Sequence, residues 1–116
     1  MNQEIRAISK LGPVALVLIQ AVAETFGPNA SGKYDMNQIL RRLGTLPNTW
    51  QPDDLLSTLG LTCRASEDRK HEEVLRGVIE ELKRDGMTMD DIRVAVTSQP
   101  ITRALQDSTL RTLDLI

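Results

Sequence analysis

The only cysteine and the only histidine of the chain, Cys63 and His71, are the natural candidates for nucleophilic or metal chemistry. A thiolate nucleophile needs a base close to it. Cys63 and His71 are eight positions apart in the sequence, and the helix start predicted between them does not favour a close approach of the two side chains. One cysteine and one histidine also cannot close a zinc site, which takes four ligands. We therefore expect Cys63 to be a small buried apolar residue and His71 to lie on the surface, and we predict no catalytic residue and no metal.

Residues 27–34 read Gly-Pro-Asn-Ala-Ser-Gly-Lys-Tyr and resemble the Walker A motif of the P-loop ATPases. In that motif the backbone N–H groups of a glycine-rich loop hold phosphate, and the lysine reaches the terminal phosphates. Tyr34 occupies the position of the hydroxyl residue that holds magnesium, and the residues before the loop predict a helix where the motif needs a buried strand. We therefore interpret the segment as a loop between helices, with Lys33 in solvent, and predict no cofactor.

The segment 88–107 is compatible with a helix-turn-helix, with helices over 89–96 and 100–107 and a turn between them. Its stretches Gly-Met-Thr-Met-Asp-Asp-Ile and Ile-Thr-Arg-Ala-Leu resemble the motifs of bacterial repressors. Side chains near the start of the second helix read base edges in such motifs, and here they are Gln99, Thr102, Arg103 and Gln106. However, residues 87–116 hold three arginines against four aspartates, a net charge of −1, which neutralises few phosphates. A DNA-binding regulator using these residues is therefore the alternative function.

Trp50 lies in a link that contains Pro47 and ends at Pro52. Because prolines restrict the link, less entropy is lost when the tryptophan is held in place, and a pre-organised tryptophan is an effective binding anchor. Arg41 and Arg42 lie close by in the sequence and could form a polar rim. The alternative is that Trp50 covers the core between two helices. On the first interpretation, Trp50, Arg41 and Arg42 contact a protein partner.

The elements that must position these residues are all predicted to be helices. Apolar side chains recur at helical spacing, period-two alternation is absent, and glycine and proline separate the periodic stretches. The predicted helices cover residues 3–11, 13–26, 36–43, 52–60, 66–85, 89–96 and 100–115. Asp35, Ser66 and Thr88 are expected to cap the helices that follow them, Thr88 in a capping box with Asp91. The predicted fold is an all-α compact bundle of six or seven short helices with no significant sheet.

The composition limits the class of protein. At 116 residues, with 41% hydrophobic residues, the chain is long and apolar enough for a single α-helical domain, residues 1–116. A formal net charge of −2 excludes a generally basic nucleic-acid coat. The longest apolar run, residues 14–23, is shorter than the about 20 residues that a membrane span needs. With no secretion signal and a single cysteine, we expect a cytoplasmic protein that does not bind membranes.

No catalytic or cofactor-binding constellation is complete in this sequence. We therefore expect a small non-enzymatic helical protein, of prokaryotic or phage type, that binds or regulates through protein–protein contacts. The helix over 13–26 is apolar on nearly all sides, so it should lie in the middle of the bundle or in an oligomer interface. The C-terminal end is also apolar, in Leu113, Leu115 and Ile116. A short chain can hide only part of this surface, which predicts self-association as a homo-oligomer, most simply a homodimer.

Overall fold

Seven α-helices form the regular structure in the part of the chain that the computed structural model describes, residues 2–27, 34–44, 52–99 and 101–114. In chain order they are α1 (Asn2–Ser9), α2 (Val14–Phe26), α3 (Met36–Leu43), α4 (Pro52–Asp68), α5 (His71–Arg84), α6 (Met89–Thr97) and α7 (Arg103–Asp114). The described residues contain no strand, and the helices pack into one compact body of 35 × 30 × 26 Å. The all-α prediction is confirmed.

Helix α2 is the centre of the fold. Its residues 14–19, 21 and 22 are buried, and the helix contacts α3, α4, α5, α6 and α7. The sequence left open whether this apolar helix lies inside the bundle or between chains, and its burial places it inside the bundle of one chain. Taken singly, no described helix is long and apolar enough to cross a membrane. Residues 3–9 and α2 are long and apolar enough only when they are taken together, and the two segments are bent by 112° relative to each other.

Two helix starts follow the capping residues predicted from the sequence. The Asp35 carboxylate accepts hydrogen bonds from the N–H groups of Asn37 and Gln38, at 3.0 and 3.4 Å. At α6, the Thr88 hydroxyl accepts from the Asp91 N–H at 3.1 Å, and the Asp91 carboxylate accepts from the Thr88 N–H at 3.0 Å. The hydrogen bonds from the Thr88 backbone and side chain lower the pKa of Asp91. The predicted cap and the predicted capping box are both confirmed.

The predicted break after Gly60 is wrong. Helix α4 runs without interruption through this glycine, and α5 begins at His71 rather than after a cap at Ser66. The inward positions of the helix continue beyond the glycine, because Leu59, Thr62 and Ser66 are all buried. A glycine inside a helix costs about 1 kcal/mol, and the burial of the residues on either side offsets that cost.

Substitution of Ser66 distinguishes a buried serine inside α4 from a serine that caps a helix, because the two roles predict opposite changes in the free energy of unfolding. Its hydroxyl is fully buried and has no hydrogen-bond partner within the described residues, so Ser66→Ala should raise the free energy of unfolding by about 1 kcal/mol. Removal of a serine N-cap would instead lower it by about 1 kcal/mol. Urea denaturation of Ser66→Ala beside Ser57→Ala, an exposed serine on the same helix, separates the effect of the buried hydroxyl from that of helix propensity.

Helix α7 begins later than predicted. The expected helix starts at residue 100, whereas α7 begins at Arg103. The Thr102 carbonyl accepts from the Gln106 N–H at 3.0 Å, and the Thr102 hydroxyl accepts from the Leu105 N–H at 3.4 Å, so Thr102 caps the helix. The same hydroxyl donates to the carbonyl oxygen of Arg42 at 3.4 Å. This contact joins the start of α7 to the end of α3, and local sequence patterns do not reveal it.

Candidate functional site

Cys63 is buried, as predicted, and its surroundings do not favour a thiolate. The residue is 5% exposed. Burial raises the pKa of its thiol to about 11, and Glu67, one turn further along α4, adds to the rise. A reactive thiolate needs the opposite change, a lowered pKa. In the described ranges, no group of three or more His, Cys, Asp or Glu side chains could hold a metal ion.

His71 is buried, so the prediction that it lies on the surface is wrong. It is 6% exposed, and its Nε2 atom lies 2.6 Å from the carbonyl oxygen of Gly27, at the end of α2. Because a carbonyl oxygen can only accept, Nε2 carries the proton and donates it. Nδ1, which is an acceptor in the neutral ring, is buried without a partner among the described residues. The sequence did contain an indication that His71 is buried, since the residue lies one turn before Leu75 on the apolar stripe of α5.

The segment that resembles a Walker A motif lies largely outside the described residues. Residues 28–33, including Lys33, fall there, whereas Gly27 and Tyr34 at its two ends are described. The element before it is a helix, as predicted, and not the strand that a phosphate loop follows. The rings of Phe26 and Tyr34 meet edge to face, with their centroids 4.9 Å apart. The two ends of the segment are therefore close together.

The four residues of the DNA-binding alternative lie at the corner between α6 and α7. Gln106 donates from Nε2 to the carbonyl oxygen of Gln99 at 2.8 Å, and the Thr102 hydroxyl is bonded at the end of α3 as described above. Arg103 is exposed at the start of α7. The side chains of Thr102 and Gln106 thus already bond to the protein itself, which leaves Arg103 as the residue best placed to contact a phosphate.

Charges on the α6–α7 surface are balanced. Arg93 pairs with Asp114 at 2.8 Å and with Asp90 at 3.4 Å. The exposed charged residues of α7 alternate in sign, as Arg103, Asp107, Arg111 and Asp114. Because affinity for DNA rests on unpaired positive charge that meets phosphates, this surface does not strengthen the DNA-binding alternative, which stays a prediction.

Of the three residues predicted to contact a partner, Arg41 and Arg42 are described, and Trp50 lies outside the described residues with the rest of 45–51. The Arg42 guanidinium pairs with Glu24 on α2, with Nη2 3.0 Å from Oε1. Arg41 is exposed and donates from Nε to the carbonyl oxygen of Asn37 at 3.3 Å. The two arginines border an open cleft of about 500 Å³ between α2 and α3. Arg41 therefore keeps donors for a partner, whereas Arg42 is engaged within the chain.

Glu24 joins three helices, a role that sequence reasoning missed. Its carboxylate accepts from Arg42 on α3 at 3.0 Å, from Gln20 on α2 at 3.1 Å, and from the Ser108 hydroxyl on α7. Partial burial alone would raise the pKa of Glu24, but the hydrogen bonds from Ser108, Arg42 and Gln20 outweigh it and lower the pKa. Glu24 is therefore a carboxylate that stabilises the fold in its charged form.

Glu24→Gln should lower the free energy of unfolding by about 1 kcal/mol at neutral pH, and this loss should vanish in acid. A carboxyl whose pKa is lowered in the folded state stabilises the fold above its unfolded-state pKa, and the contribution is lost as the pH falls through the folded-state value. The urea denaturation curves of the parent and Glu24→Gln should therefore begin to converge as the pH falls below the ordinary glutamate pKa of about 4.3, and they should coincide below the lowered folded-state pKa of Glu24. Glu80→Gln, at an exposed carboxylate on α5, is the control, and a gap that persists in acid would contradict this role.

Two large apolar side chains on neighbouring helices are exposed. Met36 on α3 is 36% exposed, and Leu56 on α4 is 44% exposed. The Met36 methyl group lies 3.9 Å from the position that a Cβ on Gly60 would take, one turn after Leu56. We call Met36, Leu56 and Gly60 the α3–α4 face. Sequence reasoning missed it, because each side chain lies at the edge of an apolar stripe, where spacing does not separate buried from exposed positions.

Neither the protein-family models, nor the curated proteins, nor the solved structures with which the chain was compared match it. A function can therefore be inferred only from its own contacts, charges and exposed groups. Among the described residues, Met36 on α3, Leu56 on α4 and Val94 on α6 are large apolar side chains that burial within the chain leaves exposed, and only Met36 and Leu56 lie on consecutive helices.

Proposed function

We propose that this chain is a small helical binding protein that acts through protein–protein contacts made by the α3–α4 face, rather than by catalysis. The observation that carries the proposal is the exposure of Met36 and Leu56 on consecutive helices, which approach each other where Met36 lies near Gly60. Single exposed apolar side chains are common on soluble proteins, but neighbouring ones are typical of interaction sites. In the sequence, the residues between α3 and α4 include Trp50, a residue type that is enriched at binding hot spots.

The chemistry of this face defines the surface that it binds. Methionine is a flexible side chain that adapts to an apolar partner, and leucine supplies a fixed apolar contact. Arg41 is exposed further along α3, at the α2–α3 cleft rather than on the face itself, and its guanidinium pairs well with a carboxylate beside the apolar contact. The matching surface therefore presents an apolar side chain beside a carboxylate.

A second copy of the chain carries such a surface, so self-association is part of the proposal. Asp53 and Asp54 are exposed in the first turn of α4, close in sequence to Leu56. A two-fold interface pairs the same patch with itself, so Met36 and Leu56 of one copy would pack against those of the other. The apolar surface of α2 does not contribute, since it is buried within one chain.

Leu56→Lys should convert the dimer into a monomer, because it places an unpaired charge in the middle of an apolar contact. Val94→Lys is the matched control, since Val94 is 64% exposed on α6, on a different helix pair. Sedimentation velocity at micromolar concentration should show a dimer for the parent and for Val94→Lys, and a monomer for Leu56→Lys. A monomeric parent would remove self-association from the proposal, and a dimeric Leu56→Lys would place the contact elsewhere.

Capture experiments in extract of the native host, with and without nuclease, test binding to other proteins. A protein captured by the parent and by Val94→Lys but not by Leu56→Lys, whether or not nucleic acid is digested, supports contact through the α3–α4 face. Capture that nuclease abolishes supports the DNA-binding alternative instead. In that case Arg103→Ala combined with Gln99→Ala should lose retention on DNA at low salt.

A further inference from the structure

The solvent-exposed side of α4 carries opposite charges before and after its exposed leucine. Asp53 is exposed in the first turn, and Arg64, the sole basic residue of this helix, is exposed eleven positions later. Because an α-helix turns once in about 3.6 residues, spacings of seven and four residues place Asp53, Gly60 and Arg64 nearly in line. Leu56 lies one turn before Gly60 on the same side. Leu56 and Gly60 are therefore flanked by a carboxylate at one end and a guanidinium at the other.

Neither flanking charge is paired within the described part of the chain. Asp53 and Arg64 form no ion pair and no side-chain hydrogen bond with another described residue. Asp54, the neighbouring carboxylate, borders a cleft together with Lys10, on the side of α4 toward α1. Asp53 and Arg64 are therefore available to pair with another molecule, and a second copy of the same helix presents the opposite charge that each of them needs.

The order of these charges favours two copies of α4 that run antiparallel. When a two-fold axis crosses α4 midway between Asp53 and Arg64, Asp53 of each copy lies level with Arg64 of the other. A parallel pair would instead set like charges against each other, which is unfavourable. Gly60 lies near this axis and has no side chain to hold the two helices apart. Glu67 and Asp68, beyond Arg64, extend past the start of the other helix in this arrangement.

We propose that two copies of the chain associate through an antiparallel pair of α4 helices, with ion pairs between Asp53 of each copy and Arg64 of the other. This inference rests on the self-association proposed above, and it adds the orientation of the two copies and the residues that specify it. Exposed ion pairs contribute little affinity, so the apolar contact of Leu56 and Met36 stabilises the dimer. The charges select the antiparallel arrangement, because charge complementarity mainly gives specificity.

Sedimentation equilibrium of charge variants of the full chain tests this arrangement, with circular dichroism to show that each variant is folded. Arg64→Glu and Asp53→Lys should each raise the Kd of the dimer about tenfold, because each sets like charges together at both ends of the helix pair. The double variant Asp53→Lys/Arg64→Glu restores opposite charges, so its Kd should return to within about threefold of the parent value. Arg76→Glu, at an exposed arginine on α5, makes the same change of net charge and should leave the Kd unchanged.

Failure of this arrangement can be told apart from failure of self-association. A dimeric parent whose Kd does not change in Arg64→Glu or Asp53→Lys would overturn the antiparallel pair, while the effect of Leu56→Lys would still decide whether the α3–α4 face forms the contact. A double variant that dimerises as weakly as the single variants, or an equal effect of Arg76→Glu, would show that net charge and not pairing is responsible. A monomeric parent would remove both the self-association and the arrangement that rests on it.

Discussion

Gly77→Ala will destabilise the protein by about 1–2 kcal/mol, whereas Gly60→Ala will stabilise it by about 0.5–1 kcal/mol. Both glycines lie inside helices, so alanine brings a similar gain in helix propensity at each site. The difference comes from the space around the added methyl group. At Gly60 a Cβ would meet the Met36 methyl group at 3.9 Å, an ordinary contact distance.

At Gly77 the added methyl group would overlap Ile5 of α1. A Cβ there would lie 2.8 Å from Cδ1 and 3.1 Å from Cγ2 of Ile5. Rotation about χ2 can move Cδ1 aside, but Cγ2 is held in place by χ1, for which a β-branched side chain in a helix has one strongly preferred rotamer. Helix α1 would then have to move away from α5, although it packs against both α4 and α5. This overpacking destabilises the protein by more than the gain in helix propensity stabilises it.

A double-mutant cycle isolates the contact between Gly77 and Ile5. Ile5→Val removes Cδ1, the atom closest to the added methyl group, and keeps the rest of the contact. Urea denaturation of the parent, the two single variants and the double variant should give a coupling energy of about 1 kcal/mol, with Gly77→Ala better tolerated beside the valine. If Gly77→Ala proves as stabilising as Gly60→Ala, α1 does not approach α5 this closely.

The sequence predicted helix ends where a cap acts through local hydrogen bonds. Asp35 and Thr88 bond to N–H groups two or three residues away, so their positions suffice. The boundary between α4 and α5 was not predictable in this way, because Gly60 can end a helix and Ser66 can begin one. The choice depends on burial of the α4 residues against α1, α2 and α5, and such tertiary packing overrides local propensity.

The candidate sites were less predictable than the fold, because they depend on contacts between distant residues. Glu24 and Ser108 are 84 residues apart in the chain, and His71 and Gly27 are 44 residues apart. No local pattern reveals these pairs. Arg42, predicted as part of a binding rim, instead forms an exposed ion pair with Glu24 that links α3 to α2.

The bond from His71 to Gly27 predicts that two similar substitutions differ in effect. His71→Asn should lower the free energy of unfolding by about 2 kcal/mol, because the shorter side chain cannot reach the Gly27 carbonyl and leaves that acceptor unpaired. His71→Gln should cost about 1 kcal/mol or less, because its amide nitrogen lies about as far from the backbone as Nε2 of histidine and can still donate. Both variants remove the ring, so the comparison isolates the donor.

Hydrogen exchange locates this effect in the structure. The Gly27 N–H donates to the carbonyl oxygen of Ala23 at 2.7 Å in the last turn of α2, and the bond from His71 holds that turn against the start of α5. The Gly27 amide should therefore exchange faster in His71→Asn than in His71→Gln, since local opening of the helix end costs less free energy once the tie is lost. Equal losses of stability and equal exchange in the two variants would show that the packing of the ring, and not its donor, joins α2 to α5.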